Sequence, residues 1–307
     1  MVEAVTDEAR LPTPALDALE ARFRTSSPVF REAVERARRT HGEPWAAAFD
    51  EFIARVLPDD VSIAAAVSGY SRFALEALRL QAKFEKTGAY EPRSYADVSA
   101  SVYADEEYMT SCYLPGLVLS NYLWPHHYRQ LRFFEEAFVA VMAHRAPDMF
   151  YDVGVGTGIY SRVALGAWPR TTGIGIDISP SSKAFAERHV AAFGLGHRYS
   201  VELRDIVDRP VHPVQSLVCV EVLEHLEDPE PFLAALRSML QPGGRAFIGT
   251  ALNAANADHI YLYRTPDEVR AQLARAGFSV EQYLCAAAGP PREPTMPVPE
   301  VAGFVVT

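Results

Sequence analysis

Phe150-Tyr151-Asp152-Val153-Gly154-Val155-Gly156-Thr157-Gly158 is an apolar run that breaks into three glycines at alternate positions and leads straight into the helical pattern Ile159–Ala167. A strand that turns through glycines into a helix lets the backbone approach a ligand that side chains would hold off. A dinucleotide loop has the related spacing G-x-G-x-x-G, but its last glycine would fall where this chain has Ile159. Gly173-Ile174-Gly175-Ile176-Asp177 follows as a second strand whose terminal carboxylate stands 19 residues beyond Gly158 (177 − 158). Such a carboxylate can accept hydrogen bonds from both hydroxyls of a ribose. At the end of a third strand, Arg204-Asp205-Ile206 offers Asp205 to an exocyclic amino group, with Ile178 and Ile206 to flank an adenine ring. The alternative for Asp205 is an acid that caps its own loop.

Working outward, the chain has two halves. From Met149 onward, short apolar runs alternate with amphipathic helices. The strands are expected at Met149–Val153, Thr172–Ile176, Tyr199–Arg204, Ser216–Val220, Arg245–Thr250, Val280–Cys285 and Gly303–Thr307. Helices fit at Ile159–Ala167, Pro180–Phe193, Pro229–Leu240 and Pro266–Ala276, the last with Thr265 as cap, Glu268 to complete a capping box and Gly277 as stop. Apolar strands separated by helices imply a doubly wound, mostly parallel α/β sheet covered on both faces. Only a proline-rich loop, Ala286–Pro299, separates the last two strands, which suits an antiparallel hairpin at one edge. Residues 1–145 read as a helical extension. Its helices are expected to start at Thr13-Pro14 and Ser27-Pro28, and a break near Trp124-Pro125 precedes a stripe of Trp124, Tyr128, Leu131, Phe134, Phe138 and Val141.

Asp152-x-Gly154-x-Gly156-x-Gly158, Asp177, Asp205 and the run Val218-Cys219-Val220-Glu221-Val222-Leu223-Glu224-His225 together resemble a class I S-adenosylmethionine-dependent methyltransferase over about residues 148–307. The resemblance implies a seven-stranded sheet of order 3-2-1-4-5-7-6 with the seventh strand antiparallel, and a methyl donor lying across the strand C-termini. Residues 146–307 would then form the donor-binding domain. Asp152, Gly154, Gly156, Gly158, Asp177, Ile178, Asp205, Ile206 and Glu221 would be its cofactor-binding residues.

Glu221, Glu224 and His225 share one face if they occupy a helical turn. His259, in the loop after the neighbouring strand, would reach the same end of the sheet. Two readings stand. In one, Glu221, Glu224, His225 and His259 hold a divalent metal: Mg²⁺, Mn²⁺, Fe²⁺ or Zn²⁺ suits oxygen and nitrogen donors without cysteine. This resembles the ubiquinone-biosynthesis O-methyltransferases and the metal-dependent small-RNA 2′-O-methyltransferases. In the other no metal is bound: His225 or His259 acts as a general base beside Glu224, or the turn is structural, with Glu221 contacting donor or backbone, Glu224 and His225 hydrogen-bonded to each other and His259 capping its loop. Coordination would lower the pKa of a hydroxyl and fix it for attack on the methyl group.

The acceptor pocket is expected under the segment just before the first strand. Tyr113, Tyr122, His126 and His127 are its candidates, Trp124 and Tyr128 reading more as core, with Tyr261 and Tyr263 as additions beyond His259. The expected activity is methylation, O- before N- or C-, of a small, partly apolar metabolite such as those of specialised metabolism. With 29 Lys and Arg against 39 Asp and Glu the net charge is −10, and the densest basic cluster, Arg36-Ala37-Arg38-Arg39, reads as a solvated helix face. RNA is therefore a disfavoured acceptor. Residues 1–145 would serve as a lid over the substrate or as a homodimer interface, which the sequence does not separate. The three cysteines, Cys112, Cys219 and Cys285, form no paired motif, and residues 1–10 show no secretory signal; a cytoplasmic protein without a membrane partner is expected.

Overall fold

Seven strands stand where the apolar runs place them in the computed structural model, which describes residues 11–307 apart from 92, 146, 210, 292, 294 and 295. The reading of no secretory signal rests on residues 1–10, which lie outside the described residues. The strands are β1 (Met149–Val153), β2 (Thr172–Asp177), β3 (Tyr199–Leu203), β4 (Val214–Val220), β5 (Leu240–Leu252), β6 (Val280–Ala287) and β7 (Glu300–Val306), in the order β3-β2-β1-β4-β5-β7-β6. The pairs among β1 to β5 are parallel, and β7 runs antiparallel between β5 and β6. The expected sheet order and edge hairpin are therefore both present. β5 begins five residues before the expected Arg245 (245 − 240), because Leu240 pairs with Val214 ahead of a register shift. The helix Pro229–Ser238 stops correspondingly short of Leu240.

Strand alternation divides the core. Phe150, Val218, Val220, Phe247 and Val305 face one side; Tyr151, Val153, Leu217, Cys219 and Ile248 face the other. The first side packs against the N-terminal helices, whose Phe133, Phe134 and Phe138 rings lie within 6.0 Å of the Phe247 ring, centroid to centroid.

The N-terminal helices are α1 (Pro14–Ser26), α2 (Ala33–Val56), α3 (Asp60–Thr87), α4 (Leu114–Leu123) and α5 (Pro125–Phe133), with short helical turns between Tyr95 and Tyr113 and helical continuations of α5 at Phe134–Val139 and Ala140–Ala143. Thr13 precedes α1 with Pro14 in its first turn, as expected. Ser27-Pro28 does not begin a helix. Ser27 closes α1 by donating its N–H to the Phe23 carbonyl, turns occupy the next residues, and α2 starts at Ala33. The break at Trp124-Pro125 holds: Trp124 has φ −96° and ψ 121°, the extended backbone that a following proline favours. It sends Trp124, His126 and His127 toward the C-terminal ends of the parallel strands, while Tyr128, Leu131, Phe134 and Phe138 are buried. The sheet helices are α6 (Ile159–Ala167), α7 (Pro180–Ala192), α8 (Pro229–Ser238) and α9 (Pro266–Arg275). The Thr265 hydroxyl accepts the Glu268 N–H to cap the last of these. All three cysteines are free thiols, and no described helix is long and apolar enough to cross a membrane.

Candidate active site

A cavity of about 830 Å³ opens over the C-terminal ends of β1, β2, β4 and β5 and is roofed by residues of α2 to α5. One end is built by the glycine turn. Gly154 has φ +69°, and a Cβ there would run into Val222 Cγ2, so only glycine admits both the turn and the neighbouring strand end. Gly156 donates its N–H to Asp177 Oδ2 at 3.0 Å, and Asp177 Oδ1 accepts the Ser179 N–H at 2.9 Å. Burial raises the Asp177 carboxyl, and those amide hydrogen bonds hold it back. Ile178, Asp205 and Ile206 line the same end. Asp205 Oδ1 accepts the Val207 N–H at 2.8 Å, so this acid does cap its loop while it borders the cavity.

The remaining members of the expected cofactor set divide. Asp152 and Glu221 line the cavity; Gly158 does not, and instead starts α6 against Ala186 of α7. Asp152 is buried, accepts the Ser161 hydroxyl at 2.7 Å and is pushed by burial up to about 7.

After β4 the chain does not form an α-helical turn. Glu221 takes φ +56°, and Leu223–His225 is a 3₁₀ turn. Glu224 is fully buried behind the cavity wall, its Oε2 accepting the Thr250 hydroxyl at 2.7 Å and its Oε1 the Ala251 N–H at 3.2 Å. His225 and His259 line the cavity, with ring centroids 5.3 Å apart. Glu224, His225 and His259 each offer a ligand atom within 4.8 Å of the others; Glu221 lies outside this group among the described residues. Burial and the neighbouring Glu224 carboxylate push Glu221 well above the usual carboxylate range. A neutral Glu221 acid avoids the repulsion of two adjacent charges.

His259 donates Nδ1–H to the Ala254 carbonyl at 2.6 Å, which leaves Nε2 as its lone pair. His225 Nε2 stands 3.4 Å from Asp258 Oδ2. These are the arrangements by which an outer oxygen orients a metal-ligating or proton-accepting imidazole. The donor set therefore fits a divalent cation and fits a general base equally.

Several residues at the site escaped the sequence reading. Asp258 is fully buried; although burial pushes it up, the His225 and His259 imidazoles hold it below the usual carboxylate range, and it accepts the hydroxyls of Tyr113 at 2.5 Å and Tyr103 at 3.2 Å. Its adjacency to His259 was the available signal. Tyr95 faces Asp177 and Asp205, whose charges, after burial, raise its hydroxyl pKa. Gln130 reaches from α5 toward Glu221 across Gly249, where a Cβ would strike its amide. Of the aromatic candidates, Tyr113 and Trp124 line the cavity, with both His126 and His127. Tyr122 instead stacks on Phe49 inside the helical core, and Tyr261 and Tyr263 pack in the opposite core, where the Tyr263 hydroxyl meets Gln272.

Residues 151–246 match the family model described as a methyltransferase domain. The match and the sheet order support a class I S-adenosylmethionine-dependent methyltransferase domain in this part of the chain. The ubiquinone biosynthesis O-methyltransferase of Xylella fastidiosa (strain 9a5c) is 31% identical over 100 residues, covering 32% of this chain and 40% of the relative. The same-named enzyme of Xanthomonas axonopodis pv. citri (strain 306) is 27% identical over 164 residues, 47% of this chain and 68% of the relative. The chain thus spans only about two fifths of the Xylella methyltransferase. The solved structure of the mitomycin 7-O-methyltransferase MmcR is 15% identical with a TM-score of 0.51 and covers 94% of each chain, so the shared fold extends into the N-terminal helices.

Proposed function

We propose that the protein transfers the methyl group of S-adenosylmethionine to a hydroxyl of a small, partly apolar molecule, with residues 146–307 binding the donor and residues 1–145 covering the acceptor. One observation carries this reading. A single cavity joins the glycine turn and Asp177 to a compartment walled by Phe30, Tyr70, Phe73, Leu123 and Trp124 from the helical half. Concave, mostly apolar sites with a few convergent polar groups suit small molecules. The net charge of −10 opposes a polynucleotide acceptor.

Asp177 would hold the ribose hydroxyls, Ile178 and Ile206 the adenine faces and Asp205 its amino group, while Asp152, Gly154, Gly156 and Glu221 shape the methionyl end. His225, oriented by Asp258, and His259, oriented by the Ala254 carbonyl, would accept the proton that the hydroxyl loses as oxygen attacks the methyl carbon and sulfur departs. Glu224, His225 and His259 would be the residues to hold a divalent cation, Mn²⁺, Mg²⁺, Fe²⁺ or Zn²⁺, and such an ion supplies Lewis-acid lowering of the hydroxyl pKa. O-methylation is favoured over N- or C-methylation because two imidazoles are placed for a proton whose loss an amine acceptor needs less. The test is calorimetry with S-adenosylmethionine and S-adenosylhomocysteine, followed by by-product assay against phenols, amines and RNA separately. Donor binding with turnover on phenols alone is the expected result; turnover on RNA, or no donor binding, overturns it.

A further inference from the structure

We propose that the acceptor carries a second hydrogen-bond-donating group, besides the hydroxyl that is methylated, and that His127 Nε2 receives it. This inference rests on the donor and acceptor compartments proposed above. His127 lies on the first turn of α5 and lines the acceptor compartment. Its Nδ1 is 3.1 Å from Ser120 Oγ, and that hydroxyl is 2.7 Å from the Leu117 carbonyl. The shorter contact has the length of O–H···O and the longer that of N–H···O. Ser120 therefore donates its one proton to Leu117, and His127 must donate Nδ1–H to Ser120. Burial, with the neighbouring His126 and His259 rings, holds His127 neutral. A neutral ring with Nδ1 protonated presents Nε2 as a lone pair.

The rest of the compartment supports the assignment. His126, stacked on Trp124 with ring centroids 5.7 Å apart, also lines the cavity, is 6% exposed, and its Nδ1 is buried without a partner. Around the pair the walls are Tyr70, Phe73, Leu123 and Trp124, where the Tyr70 hydroxyl is already engaged by Trp124 Nε1 at 3.0 Å. A ligand that fills the compartment takes the His127 Nε2 lone pair away from water, which is costly unless the ligand itself donates to it. The ligand class is an apolar ring system bearing two separate O–H or N–H groups, one at the His225 and His259 end and one at His127.

The experiment uses the full chain saturated with S-adenosylhomocysteine and titrated calorimetrically with 2-naphthol and with 1,5-, 2,6- and 2,7-dihydroxynaphthalene. At least one diol should bind tenfold or more tightly than 2-naphthol. In His127→Leu that diol should fall to the affinity of 2-naphthol, while 2-naphthol and S-adenosylhomocysteine bind as before. No diol advantage in the native chain, or an advantage that survives in His127→Leu, overturns the proposal. Normal S-adenosylhomocysteine binding in either case leaves the donor site standing, so the two readings fail separately. Should His127→Leu lose S-adenosylhomocysteine binding, ¹⁵N chemical shifts of the native histidines decide. Protonated Nδ1 and bare Nε2 at His127, the latter shifting on diol addition, support the proposal; a protonated Nε2 overturns it.

Discussion

Asp177 Oδ2 accepts the backbone N–H of Gly156 at 3.0 Å, so the glycine turn after β1 and the acid ending β2 are hydrogen-bonded to each other before any donor arrives. A preset carboxylate loses little freedom on binding, which is where much affinity is otherwise spent. Because each carboxylate oxygen has a second lone pair, the bonds to Gly156 and Ser179 leave acceptor capacity for a diol.

Asp177→Asn keeps the shape and one acceptor oxygen but loses the charge. Hydrogen bonds to a charged group contribute about 1.5–3 kcal/mol. Calorimetry should show S-adenosylmethionine affinity down about tenfold to a hundredfold, with a melting temperature lowered by a few degrees because either the Gly156 or the Ser179 N–H loses its acceptor. Unaltered affinity would remove Asp177 from the donor site.

Gly154→Ala should damage both fold and site. A left-handed alanine costs about 1–2 kcal/mol, and overpacking against Val222 about 1–3 kcal/mol more. A markedly lower melting temperature together with lost donor binding is expected; a variant that melts like the native chain would contradict the geometry of the turn.

Burial sets the pH response of Asp152. Its carboxyl titrates near pH 7 in the folded chain against a reference value of 3.8, so between those values the folded chain holds a proton that the unfolded chain has released. Its contribution to stability is full below about pH 4, declines as pH rises and is gone above about pH 7. Asp152→Asn, which imitates the protonated form, should flatten that decline by up to about 4 kcal/mol. Thermal melts from pH 4 to 8 that run parallel for the two proteins would refute it.

Gln130 and Gly249 should be coupled. Gly249→Ala puts a methyl into the Gln130 amide and should lower stability by about 1–3 kcal/mol. In Gln130→Ala the severe clash is gone and only Val220 Cγ1, 3.0 Å from the new methyl, has to give way. The double-variant cycle should return a coupling of at least about 1 kcal/mol; additive effects would mean that Gln130 does not occupy that space.

A cation at Glu224, His225 and His259 would stabilise the fold by mass action, about 2.7 kcal/mol at a hundredfold excess over Kd. Mn²⁺ should raise the melting temperature by several degrees in the native chain and not in His259→Ala, and exhaustive chelation should suppress turnover. A melt indifferent to Mn²⁺ with full activity after chelation would leave His225 and His259 to accept the proton unaided.

Local pattern determined most of the fold. The apolar runs of β1 to β7, the glycine turn at 154–158 and the acids at 177 and 205 depend on near neighbours, whose spacing decides whether backbone turns or pairs, and all were legible in the chain. Tertiary structure alone decided which polar atoms meet. Asp258 gathers Tyr103, Tyr113 and His225 from segments more than 30 residues away in sequence, Gln130 reaches across Gly249, and Tyr122, Tyr261 and Tyr263 turn into cores rather than the cavity. The Glu221–His225 turn shows the same division: its residue types announced chemistry, yet the left-handed Glu221 and the 3₁₀ turn are set by packing against β5 and separate Glu221 from the cluster of Glu224, His225 and His259. Periodicity records which face of an element is apolar; which side chains share a cavity follows from how those faces close on one another, and that is a property of the whole packed chain.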